Sequence, residues 1–107
     1  MEDQLSNLLA QAQKLQAEIT RLQEEMKTKT VEVSVDGGTV RVIATGGQYI
    51  KDIFIDPNFI HPANAKVIKS LIVEGVNMAL DRAKQMAEKE MKKITGGFTM
   101  PKIPGMF

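Results

Sequence analysis

Few residues of this chain could do covalent or metal chemistry. His61 is the sole histidine, and it stands before a proline without an orienting partner or a nucleophile, the setting of a structural histidine rather than a catalytic one. Asp52 and Asp56 flank Ile-Phe-Ile at the end of an apolar segment. A metal pair there needs more oxygen ligands close by, and a strand-end salt bridge or a cap accounts for them better. Gly37-Gly38 and Gly46-Gly47 read as turns, because neither pair leads into a helix as a phosphate-cradling loop would. With no cysteine in the chain, disulfides and thiolate metal sites are excluded. No catalytic motif is present. The expectation is no enzyme, no metal, no cofactor and no small-molecule substrate.

What remains is cationic. Arg82, Lys89 and Lys93 stand at i, i+7 and i+11, which on a helix places them within about 40° of one another. Residues 81–102 hold Arg82, Lys84, Lys89, Lys92, Lys93 and Lys102 against Asp81, Glu88 and Glu90. Residues 1–29 hold Lys14, Arg21, Lys27 and Lys29 against Glu2, Asp3, Glu18, Glu24 and Glu25. The formal net charge is only +1, so nucleic-acid binding is argued from where the charge sits rather than from its total. The bland alternative is solvated surface, with Lys84–Glu88 and Glu88–Lys92 as neutralising i,i+4 pairs. Lys14 and Arg21 share a line on the first helix, each followed four residues later by a glutamate.

The element carrying Arg82 to Lys93 organises the chain. A helix over 64–94 follows from Lys66, Ser70, Glu74, Asn77 and Asp81 falling in one polar stripe. Val67, Ile68, Leu71, Ile72, Val73, Val76, Met78, Ala79 and Leu80 fill nearly all the rest. That apolar surface is wider than the face of a little over ~100° that an ordinary surface helix buries. Past Asp81 only Ala83, Met86, Ala87, Met91 and Ile94 continue it. The helix therefore begins as core and ends as an arm. Roughly 30 residues make a rod of about 45 Å, against a radius of gyration near ~13 Å for a compact chain of this size, so part of it protrudes. The over-apolar beginning predicts homodimerisation through Leu71, Ile72, Val76 and Leu80, with the edge of a small sheet as a further candidate.

A first helix is predicted over 5–27, where Leu5, Leu8, Ala12, Leu15, Ile19, Leu22 and Met26 make an unbroken heptad seam of coiled-coil type. Its natural partner is the other long helix. Between the helices the period drops to two. Thr30–Val35, Thr39–Thr45 and Gln48–Ile55 read as a three-stranded antiparallel meander over residues 30–55, with turns at Asp36-Gly37-Gly38 and Gly46-Gly47. Asp56-Pro57 supplies a cap and a first helical position, and Asn64 is the expected cap of the long helix. The fold class is α+β, one domain over 1–97, followed by a tail over 98–107 expected to be mobile. The N-terminus has no signal-peptide pattern and no stretch approaches the ~20 apolar residues of a membrane span, so a cytoplasmic location is expected.

The segments LLAQAQKLQAEITRLQEEM, IDPNFI and GVNMALDRAKQMAEKEM, with a tail of glycine, proline and a final Met-Phe, together resemble the YbaB/EbfC family of bacterial nucleoid-associated DNA-binding proteins, over almost the whole chain. The resemblance implies a tweezer-like homodimer with projecting helical arms, binding duplex DNA with limited sequence preference and affecting nucleoid organisation and gene expression. Carried onto this sequence, the arm contacts are Lys14, Arg21, Arg82, Lys89, Lys92 and Lys93. The alternative is a coiled-coil clamp or scaffold for protein, chaperone-like or serving a replication or repair partner. A protein clamp needs apolar grip residues, such as Met86 and Met91, where a DNA clamp needs cations.

Overall fold

The computed structural model describes residues 2–96. The tail over 98–107, expected to be mobile, lies outside the described residues. The element order is α1 (Glu2–Met26), β1 (Thr30–Val35), β2 (Val40–Thr45), β3 (Ile50–Ile55) and α2 (Ala65–Thr95), with single 3-10 turns at Asp36–Gly38, Pro57–Phe59 and Pro62–Asn64. This is the predicted helix, meander and longer helix. The first helix starts three residues earlier than its heptad pattern, because Glu2, Asp3 and Gln4 continue it without a breaker.

The strands pair in the order β1-β2-β3, antiparallel throughout. Val31, Val33 and Val35 lie opposite Ala44, Val42 and Val40, which in turn meet Ile50, Ile53 and Ile55. The register therefore stacks one apolar face, with Val33, Val40, Val42 and Ala44 essentially excluded from water. The other face is open. It carries Arg41 between Glu32, 3.3 Å away, and the ring of Phe54, 5.0 Å from the guanidinium carbon to the centroid. A bulge between Ile43 and Ala44 shifts the β2–β3 pairing by one residue.

Against the apolar face lies α2, and its contact row is Gly75, Ala79 and Ala83, all buried. Small residues at i, i+4 and i+8 make one ridge of the helix, and it is this ridge that the valines meet. The larger apolar residues of the same stretch stay partly exposed: Leu71, Ile72, Val76 and Met78 pack on the rim of the core, while Val67 and Val73 are 49% and 54% exposed. Within one chain the wide apolar surface is thus only partly covered. Asn64 takes the N-cap position as expected, but its amide donates to the Phe59 carbonyl (2.9 Å) instead of capping the helix. Gly96, left-handed at φ 62°, closes the other end through its N–H to the Lys92 carbonyl.

The molecule is 73 Å long and only 22 × 19 Å across, with a radius of gyration of 19.6 Å, but the element that projects is α1 and not, as expected, the end of the long helix: Met86, Ala87, Met91 and Ile94 of α2 are half-buried and Thr95 is buried. The cause is that α1 meets the other described residues only near its end. Leu22 and Met26 are buried, Glu18 and Ile19 partly so, and every residue from Asp3 to Ala17 is exposed. Met26 is seated by Gly46, where a Cβ would come 2.9 Å from its sulfur and 3.0 Å from its carbonyl oxygen. No described helix is long and apolar enough to cross a membrane.

Candidate nucleic-acid interface

The residues weighed for chemistry do local structural work. The Nδ1 of His61 accepts from the Ala63 backbone N–H at 3.1 Å and caps the turn before α2. Asp56 accepts from the Asn58 N–H at 3.0 Å, the cap its position before a proline predicts. Asp52 accepts from the neighbouring Ile53 N–H at 2.8 Å. The Asp36–Gly38 turn is closed by Thr39, whose hydroxyl donates to Asp36 at 2.8 and 2.9 Å.

The cationic row lies on the second half of α2: Arg82 stands beside Ala83, the last residue of the ridge against the sheet, and Lys89, Lys92 and Lys93 follow it. Arg82, Lys89, Lys92 and Lys93 are all exposed. Among the described residues Arg82, Lys89 and Lys92 take no ion pair, and Lys93 bridges to Glu90 at 3.2 Å. The neutralising pairs weighed for this helix, Lys84–Glu88 and Glu88–Lys92, do not form; Glu90 is the acid engaged. Its carboxylate also receives Lys29 at 3.3 Å, tying the connection between α1 and β1 to α2 across 61 residues of sequence. These two bonds, Lys93 first and Lys29 second, hold the Glu90 carboxyl below the usual glutamate range. Sequence reading had no means of finding that anchor, since only the chain reversal through the sheet brings Lys29 and Glu90 together.

On α1, Lys14 is exposed and unpaired among the described residues, on the uncovered part of the helix. Arg21 is exposed and pairs with Glu25 at 3.8 Å. That pair is weak, since exposed i,i+4 bridges are worth only a few tenths of a kcal/mol, and a phosphate could replace Glu25 at little cost. The two arm sets, Lys14 and Arg21 on α1 and Arg82 to Lys93 on α2, belong to helices that touch only over the end of α1. Where they meet, Leu22, Met26, Gly46, Ala87 and Met91 line a shallow groove with Lys27 and Lys84 at its rim.

The predicted dimer residues Leu71, Ile72, Val76 and Leu80 are each half-buried in the single chain. Ile72 shares a second apolar hollow with Ile60, Ile68 and Val73. Ile60 and Val73, 60% and 54% exposed, are the parts of that surface left most open among the described residues, and sequence reading did not single them out as contacts.

The family model described as the YbaB/EbfC DNA-binding family matches residues 1–98. Among curated relatives, a nucleoid-associated protein of Acetivibrio thermocellus is 47% identical over 103 residues, covering 96% of this chain and 89% of its own. Another nucleoid-associated protein, of Ruminiclostridium cellulolyticum, is 43% identical over 103 residues, 96% of this chain and 88% of its own. One of Pelotomaculum thermopropionicum is 38% identical over 107 residues, 100% of this chain and 99% of its own.

Proposed function

This chain belongs to the YbaB/EbfC DNA-binding family and is a DNA-binding, nucleoid-associated protein; from that premise we propose that it grips duplex DNA as a homodimer, through cations on its helical arms and with limited sequence preference. The observation that carries the reading is the row Arg82, Lys89, Lys92 and Lys93, exposed on the solvent side of the second half of α2. Three of these four cations have no carboxylate partner among the described residues. Side chains of this kind reach phosphate oxygens, which fix position on a duplex and carry no base identity. Limited sequence preference follows from that chemistry. Lys14 and Arg21 extend the same arm on α1. No catalytic role is proposed, and the nucleoid is the proposed location within the cytoplasm.

Homodimerisation is supported by the apolar surface of α2 that the sheet covers only in part, the half-buried Leu71, Ile72, Val76 and Leu80 with the exposed Ile60 and Val73 beside them. A two-fold axis through that surface sets two arms on one body and doubles the number of phosphates one particle can neutralise. The test is a fluorescence-anisotropy titration of unrelated duplexes of equal length across a salt series. Similar affinities on every sequence and a steep linear fall of log affinity with log salt are expected. Absence of binding at low salt would shift the reading to the protein clamp, which the exposed Leu5, Leu8 and Leu9 on the arm favour.

A further inference from the structure

The first fifteen or so residues of α1 form a helix with no other described residue packed beside it. Leu5, Leu8 and Leu9 are 61%, 63% and 57% exposed and Leu15 is 36% exposed, although Leu5, Leu8 and Leu15 continue the seam that buries Leu22 and Met26 lower down. A lone helix of that length is marginal in water. The seam also keeps the 3,4 spacing of a two-helix contact well past the point where α2 lies beside it.

We propose that this arm tip is a self-association surface, and that its occupant is the arm tip of a second copy lying antiparallel to it. The packing selects that occupant and that direction. Taking Leu5 as an a position, the exposed seam reads Leu5 (a), Leu8 (d), Ala12 (a), Leu15 (d). An antiparallel pair sets a against d: Leu5 meets Leu15, and Leu8 meets Ala12, a large residue against a small one in each inner layer. A parallel pair would set Ala12 on Ala12 and leave a void there. Antiparallel pairing also brings Leu9, an e residue, onto its own copy across the two-fold axis, which buries the one bulky apolar residue outside the seam. The remaining flanks are compatible. Gln11 faces Gln11 and Gln4 faces Glu18, so no like charges oppose one another across the contact.

The contact is short, about 18 Å for twelve residues, and well below a standard interface. Each tip pair is therefore weak alone and gains strength when two arms on one particle engage together. The surface lies on α1, far along the chain from the α2 surface proposed for dimerisation, so tip pairing joins one dimer to another and could hold two bound duplexes side by side.

The chain has no cysteine, which makes single cysteines unique labels. Full-length Leu5→Cys and Leu15→Cys chains, mixed and treated with a short bis-maleimide, should cross-link to each other far more than either does to itself. Sedimentation of the unmodified full-length protein should show assembly growing with concentration beyond the first associated state. Leu5→Gln with Leu8→Gln should weaken that growth by about tenfold or more at unchanged melting temperature. Repeating the series with Ile60→Asp and Val73→Asp separates the two surfaces: tip pairing then yields a dimer held by the arms alone, whatever becomes of the α2 surface. Equal assembly with and without Leu5 and Leu8 overturns the proposal, and so do self-cross-links at Leu5 and Leu15 that exceed the mixed one. It is equally overturned if association appears only once residues 98–107 are removed, since the chain's own C-terminal segment would then be the occupant.

Discussion

A Cβ placed on Gly75 would stand 2.8 Å from Cγ2 of Val42, so α2 meets the sheet at a point that accommodates no side chain. Val42 is fully buried, between Val33 on one neighbouring strand and Ile53 on the other, and cannot swing away. Two effects oppose each other in Gly75→Ala. Alanine gains about 1 kcal/mol of helix propensity over glycine, while overpacking a filled core costs ~1–3 kcal/mol. A rigid neighbour makes the second effect win, and a net loss of about 1 kcal/mol or more is expected in urea unfolding. Combining it with Val42→Ala should return part of the loss as a coupling energy. A more stable Gly75→Ala chain would mean that the helix stands further from the sheet than described.

That contact also marks where sequence reading stops. The bulky apolar residues of 67–80 dominate any hydropathy pattern, and they correctly announce a helix with too much apolar surface. They do not show which residues face the sheet. The ridge Gly75, Ala79, Ala83 does, and its signal was available: three small residues at i, i+4 and i+8 amid bulky ones, where a helix approaches a flat layer closely. In the Gly46-Gly47 turn the left-handed residue is Gln48, at φ 62°, whereas Gly46 is required for its lack of a Cβ beside Met26. Composition placed the turn, but only packing assigns each glycine its task. For α1 the heptad located the helix and its apolar seam. How much of that seam the chain covers depends on where α2 ends against it, which no local pattern encodes. The arm cations were legible as a row; the Lys29–Glu90 tie beneath them was not.

Dimerisation is best probed at residues that do nothing for the single chain. Ile60 and Val73 are more than half exposed, so Ile60→Asp with Val73→Asp should leave the protomer folded by circular dichroism. In a dimer closed over that hollow the same charges would be buried unpaired, at a cost of several kcal/mol. The double variant should therefore sediment as a monomer at concentrations where the parent is a dimer, with the weak arm-tip pairing appearing only at much higher concentration. An unaltered dimer would move the interface to the open sheet face around Ile43 and Phe54.

Glu90 gives a pH dependence whose sign follows from its bonds to Lys93 and Lys29. Its carboxyl is held below the ordinary glutamate value in the folded chain, so its contribution is present above the unfolded-state value and fades as pH falls through the folded one. Glu90→Gln should melt slightly below the parent at neutral pH, with the difference closing in acid as the parent's carboxylate protonates. A gap that persists undiminished in acid would show that Glu90 acts through packing and not through its charge.

The last prediction concerns the arm row. Changing Arg82, Lys89 and Lys93 to Gln removes charge and keeps helix propensity, and all three side chains are exposed, so the melting temperature should not move. Each phosphate neutralised contributes roughly 0.9 to the slope of log affinity against log salt on duplex DNA. The triple change should flatten that slope by a few units per dimer and weaken unrelated duplexes alike, because phosphate contacts carry no base identity. The three cations should not contribute equally. Lys93 already shares Glu90 at 3.2 Å, whereas Arg82 and Lys89 have no partner to leave, so Arg82→Gln and Lys89→Gln singly should each cost more affinity than Lys93→Gln. Glu90→Gln, which frees Lys93, should raise affinity and restore the three to near equality. If the triple variant keeps the parental slope, the α2 row is solvated surface, and Lys14 with Arg21 on the exposed length of α1 becomes the set to test next.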